Sequence, residues 1–269
     1  MKHYIVMVAF SLLLSHAAWA AETPAQPATA KPIVAEDPDN YQAIFINDQM
    51  KITPNNRHEE DASQHSVINV DYPQITGEKL SAAAEQFNSL IVTTINQEVD
   101  QFKQYVKEDT IHMQTLPESV KHNEFKVDYD IDIVHSDTQP IVVVRFAVEG
   151  MQAGRAHPYH YHRVVNFDLA NNKVLTLHDI FKPNANYLTV LASYTNQKLN
   201  ETLQDKFMIK EGTAPNAKNY QLWNLESDGI LITFDEYQVA PYHNGPQEVH
   251  IPFEALKGII SPEAPITRA

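Results

Sequence analysis

Between Glu78 and Lys107 apolar residues return every three or four positions: Leu80, Ala84, Phe87, Ile91, Ile95, Val99, Phe102 and Val106. That period puts them on one stripe of a helix of about eight turns, with one side buried. Thr76-Gly77 reads as its start. The period then changes. From Phe125 to Val134 the chain alternates, with Phe125, Val127, Tyr129, Ile131 and Ile133 facing one way and Lys126, Asp128, Asp130 and Asp132 the other. This predicts a half-buried antiparallel strand with an acidic outer face.

Other segments follow the same logic. Ser66–Pro73 reads as a short strand ended by proline, and Ile141–Glu149 as a more fully apolar strand. Tyr159–Leu169 and Lys173–Leu177 read as a hairpin turned at Asn171-Asn172, residues that tolerate positive φ. Asn184 or Asn186 caps a second helix to about Leu203. Gln221–Leu225, Ile230–Phe234 and Glu248–Phe253 read as strands, Tyr41–Ile46 as an edge strand or docked arm, and Lys51–Gln64 and Gly212–Lys218 as loops. The expected fold is α+β, an antiparallel sheet packed with two helices in two intimately associated subdomains.

Met1–Ala20 has a secretory leader's layout: Lys2-His3, an apolar run from Tyr4 to Leu14, and Ala18-Trp19-Ala20 before a predicted cut after Ala20. The apolar run is too short to span a bilayer, so a soluble periplasmic or secreted protein is expected. Residues 21–40, with Pro24, Pro27, Pro32 and Pro38, read as a disordered tether. Cysteine is absent, which leaves neither disulfides nor a lipidation site. Removing the leader leaves 19 basic and 34 acidic residues, a formal charge of −15. Such a field disfavours nucleic acid and anionic lipid and attracts cationic partners.

Several motifs carry a resemblance. In the first half these are Val70-Asp71-Tyr72-Pro73 through Gly77, then the long helix with Asn88. In the second they are Ala156-His157-Pro158, Asn166-Phe167-Asp168-Leu169, Leu175 to Phe181, Asp228-Gly229-Ile230, Phe234 to Gly245, and Val249 to Phe253. Their order from Ser66 to Ile260 resembles the paired extracytoplasmic domains of the RsiV/PdaC type, found in anti-sigma factors and peptidoglycan deacetylases. The resemblance implies a PdaC-type N-terminal subdomain over residues 41–150 and an RsiV-type C-terminal domain over 151–262. No sigma-binding segment or transmembrane helix is read before these parts and no deacetylase domain after them. Neither signalling by proteolysis nor deacetylation is therefore expected. In the RsiV branch the domain senses lysozyme, so the resemblance implies a basic, lysozyme-type muramidase as partner.

His157, His160 and His162 have strand spacing that could grip a transition metal, with His178, His243 or His250 approaching from elsewhere. Alternating histidines also occur on solvated strand faces, and His157 reads as a structural partner before Pro158, so no metal and no cofactor is assigned. Asp128, Asp130 and Asp132 are nearly 7 Å apart by strand rise, an ordinary solvated face. Nucleophile, zincin and phosphate-loop motifs are missing, so a non-enzymatic binding protein is expected. Two loops should carry recognition: Gly150–Tyr159, with Arg155, His157 and Tyr159, and Glu236–Gly245, with Glu236, Tyr237, Tyr242 and His243. Rival readings are a module binding cell-wall glycan, a metal-dependent hydrolase on the three histidines, and a structural accessory of the envelope.

Overall fold

The computed structural model describes residues 44–134 and 140–267. The leader, the tether and the first residues of the expected arm lie outside the described residues. Seven strands form one sheet in chain order: β1 (Ile44–Phe45), β2 (Met50–Asp61), β3 (Ser66–Gly77), β4 (Asn123–Val134), β5 (Ile141–Met151), β6 (Tyr159–Asp168) and β7 (Lys173–Val174). Neighbours pair antiparallel except β3 and β4, which are parallel and linked through α1 (Ala82–Glu108) and α2 (Thr110–Thr115). The chain continues through α3 (Leu177–Ile180), α4 (Tyr187–Thr202) and α5 (Ile209–Gly212). A second antiparallel sheet follows, ordered β10-β9-β8, from β8 (Trp223–Leu225), β9 (Gly229–Phe234) and β10 (Gln247–Pro252), and then α6 (Phe253–Leu256). The architecture is α+β with mostly antiparallel pairing.

The long helix begins later than its periodicity suggests. Ser81 caps it, its hydroxyl accepting the Ala84 N–H at 3.2 Å, while Thr76 and Gly77 finish β3. Ala84, Phe87, Ile91, Ile95, Val99, Phe102 and Val106 are all buried, as the stripe requires. Residues 51–64, expected as loop, form most of β2, paired residue for residue with β3 from Met50↔Gly77 to Asp61↔Ser66. The apolar alternation that marks a strand is absent because ionic side chains stand where apolar ones usually would. Arg57 bonds Asn96 of α1 at 2.9 Å, and Glu59 pairs with Arg57 and with Lys103 of α1. β3 likewise runs through Pro73 to Gly77. Pro54 and Pro73 stand opposite each other, and β4 pairs only with Ser66–Val70, so neither missing N–H breaks a ladder.

At the other hairpin, β7 stops at Val174 instead of reaching Leu177. A capping box between Thr176 and Asp179 starts α3 there. Asn172 takes φ 52° at the expected turn, and Asp168 accepts from Asn171. Gly212 closes α5, and Ala217–Tyr220 forms a 3-10 turn, inside what reads as loop.

Two cores lie on opposite faces of β5. Val142, Val144, Phe146 and Val148 join α1 in the first; Ile141 and Val143 face α4 and the small sheet in the second. Asn166 of β6 stitches the sheets together, donating to Trp223 O at 2.9 Å and accepting from Leu225 N at 2.8 Å. Among the described residues no helix is long and apolar enough to cross a membrane.

Candidate functional site

β6 alternates like any strand, so its first residues serve opposite faces. Tyr159, Tyr161 and Arg163 turn toward α1, whereas His160 and His162 turn toward the small sheet. Each face carries a distinct constellation.

On the small-sheet face, the loop after β9 docks against the start of β6. His162 is buried; its Nδ1 lies 2.7 Å from Asp235 Oδ1, and its backbone N–H donates to Asp235 Oδ2 at 3.3 Å. His160 is held between two carboxylates, Nδ1 3.1 Å from Glu236 and Nε2 3.3 Å from Glu149. Burial pushes the Glu236 carboxyl above its usual range, and the nearby His160 only partly offsets this. The Tyr242 hydroxyl donates to Pro158 O at 3.1 Å, and its ring lies 4.3 Å from that of His157 and 5.9 Å from Tyr237. Tyr237 is 57% exposed and takes φ 63°. A bulky residue in the left-handed region is strained. Its neighbours impose the conformation: Val239 and Ala240 are buried, and the Gln238 amide donates to Gly212 O and Asn219 O.

Of the seven residues expected to recognise a partner, His157, Glu236, Tyr237 and Tyr242 meet on this edge. His243 turns away toward Asp205, 3.9 Å off. Arg155 and Tyr159 belong to the other face, where Arg155 bonds Tyr105 of α1.

That other face holds a groove of about 340 Å³ between α1 and β6. Phe102, Tyr105 and Phe125 provide apolar lining, and Glu98, Gln101, Gln152, Tyr159, Tyr161 and Arg163 provide the rest. Glu98 is buried, accepting from Tyr161 OH at 2.5 Å and Arg163 Nε at 2.6 Å. The Tyr159 and Tyr161 rings are nearly parallel, 6.0 Å apart and 8° between planes, and the Arg163 guanidinium lies 4.5 Å over Tyr161. Burial raises both phenols, Tyr159 to about 12. Tyr159 lies across Gly150, its cross-strand partner, where a Cβ would overlap the ring. Sequence reasoning singled out Tyr159 but not the groove it lines. Glu98, one residue before Val99 of the apolar stripe, was a further signal.

The three histidines do not converge on one point, since His160 and His162 each hold their own carboxylate and His157 packs against Tyr242. His250 goes elsewhere, its Nε2 lying 3.3 Å from Glu226 and 3.1 Å from Asp228. Those three side chains place their ligand atoms within 4.8 Å of one another, the one such group among the described residues. Of the outer-face aspartates, Asp128 pairs with Lys126 at 2.7 Å and Asp130 with Arg145 at 2.9 Å.

Residues 178–254, from α3 into α6, match a family described as "Protein of unknown function (DUF3298)". Over 195 residues the chain is 32% identical to the peptidoglycan-N-acetylmuramic acid deacetylase PdaC of Bacillus subtilis (strain 168), covering 71% of this chain and 38% of that protein. Over 203 residues it is 23% identical to the anti-sigma-V factor RsiV of the same strain, covering 72% and 66%. The chain thus spans less than two thirds of either relative's length. A crystal structure of a DUF3298 family protein from Pseudomonas aeruginosa PAO1 shares the fold, with a TM-score of 0.57 at 16% identity over 82% of this chain and 98% of that one. The resemblance carried by the ordered motifs is therefore one of sequence and of fold: an extracytoplasmic-type region similar to those of PdaC and RsiV, with a DUF3298 match in its second half.

Proposed function

We propose that this is a non-enzymatic, extracytoplasmic binding protein of the cell envelope that recognises a basic, lysozyme-type muramidase through the His157–Tyr242 edge. The observation that carries the reading is Tyr237, an exposed ring held in a strained backbone beside Tyr242 and the half-buried Glu236. Folding alone gives no reason to keep an exposed aromatic at positive φ, whereas an anchor for a partner does. Carboxylates surround it: Asp235, Glu236 and Glu149 lie on the same face. The chain as a whole carries −14, which steers a cationic protein toward the edge. One relative is named as a peptidoglycan deacetylase and another as an anti-sigma factor, and the first name fits a protein that meets a muramidase.

Calorimetric titration of residues 21–269 with a c-type lysozyme at low and physiological salt tests the proposal. One-to-one binding that survives physiological salt and is lost in Tyr237→Ala and Tyr242→Ala is the expected result. Heat at low salt alone would reduce the edge to nonspecific attraction.

A further inference from the structure

We infer that the groove between α1 and β6 is a second ligand site, on the opposite face of the sheet from the proposed protein-binding edge, and that it takes an N-acetylated pyranose of an uncharged glycan. Its volume, about 340 Å³, falls in the range of small-molecule sites, about 300–1,000 Å³. The charges inside are already matched. Both carboxylate oxygens of Glu98 are engaged, one by Tyr161 OH and one by Arg163 Nε, so the pair presents no net charge to an occupant. This disfavours an ionic ligand and favours a neutral polar one.

Tyr159, Tyr161 and the Arg163 guanidinium form a ladder of flat groups, and such surfaces take the apolar C–H faces of sugar rings. Three polar groups in the lining have no hydrogen-bond partner among the described residues: the side-chain amides of Gln101 and Gln152 and the Tyr159 hydroxyl. Two free primary amides, each donor and acceptor, match the acetamido group of an amino sugar, and the phenol matches a ring hydroxyl. The wall is also fixed in place. Tyr159 is seated on Gly150, and Tyr161 is tied through Glu98 to the long helix, so little side-chain order has to be gained on binding.

The test is calorimetry of the full chain with the β-1,4-linked trisaccharide of N-acetylglucosamine, with cellotriose as the analogue lacking acetamido groups. Saturable binding of the acetylated trisaccharide is expected, with cellotriose at least about tenfold weaker. Gln101→Ala combined with Gln152→Ala, both at solvent-accessible positions, should weaken the acetylated sugar about tenfold while leaving far-UV circular dichroism and Tm unchanged. Tyr237→Ala should leave sugar binding intact, which separates this site from the protein-binding edge and lets either one fail alone. Absence of binding up to millimolar sugar would overturn the inference. So would unaltered affinity in the double variant, and equal affinity for cellotriose would overturn the acetamido assignment.

Discussion

Two carboxylates with opposite shifts show what single residues contribute. The Glu59 carboxyl is lowered, first by its hydrogen bond to Lys103, against the opposing effect of burial and with help from Arg57. Its folded value lies below the unfolded one, so its stabilisation is fully present above the ordinary glutamate range and is lost as pH falls through it. Glu59→Gln should cost under about 1 kcal/mol at neutral pH, since the pair is partly solvated, and nothing at acid pH; urea melts at the two pH values measure this. Glu236 is raised by burial, so its ionisation opposes folding as pH rises through its window, and it takes up a proton before ordinary carboxylates as pH falls. Binding of a basic partner should therefore weaken on mild acidification, and Glu236→Gln should abolish that part of the pH dependence in a titration series. Tyr237→Gly should release about 1–2 kcal/mol of left-handed strain and raise Tm while weakening the partner. A gain of stability together with a loss of affinity is the outcome a purely structural role for Tyr237 does not give.

Among elements, the joint between the sheets is the most exacting. Asn166 lends β8 both a donor and an acceptor from within a buried interface, so Asn166→Ala orphans Trp223 O and Leu225 N together. A loss of about 2–4 kcal/mol in chemical denaturation is expected. The strained loop has its own support: a Cβ at Gly212 would run into the Gln238 carbonyl. Gly212→Ala should shift that loop and weaken partner binding although it touches no partner. These elements were unequally legible in the sequence. The α1 stripe and the β4 alternation stand out because burial there is apolar. β2 does not, because its contacts to the helix run through Arg57 and Glu59. The C-terminal end of β3 was hidden by Pro73, whose harmlessness depends on where β4 ends. At the candidate sites Tyr237 and Tyr242 could be singled out by residue type alone, and the structure brings them together with His157. The groove could not, because it forms where α1 meets β6, some sixty residues apart in the chain.

At the scale of the whole molecule, β5 gives alternate residues to the two cores, so neither core can melt without exposing a face of the same strand. Trp223 lies in the second core and is the described tryptophan, so its fluorescence reports that side, while far-UV circular dichroism is weighted toward the large sheet and α1. The two signals should unfold at one midpoint. Phe87→Ala in the first core and Phe234→Ala in the second should each destabilise the protein by about 3–5 kcal/mol and lower that midpoint for both probes. Two separated transitions would instead mean that the cores fold independently. β6 also has a consequence for how such a chain can change over time. Its odd positions furnish the tyrosines of one face and its even positions the histidines of the other. Inserting or deleting one residue between Tyr159 and Arg163 would reverse the facing of every residue on one side of the change, setting phenols or imidazoles on the wrong face. Substitutions can tune either face separately, but the length of this stretch is locked by both at once, and a single-residue insertion there should be far more damaging than any point change within it.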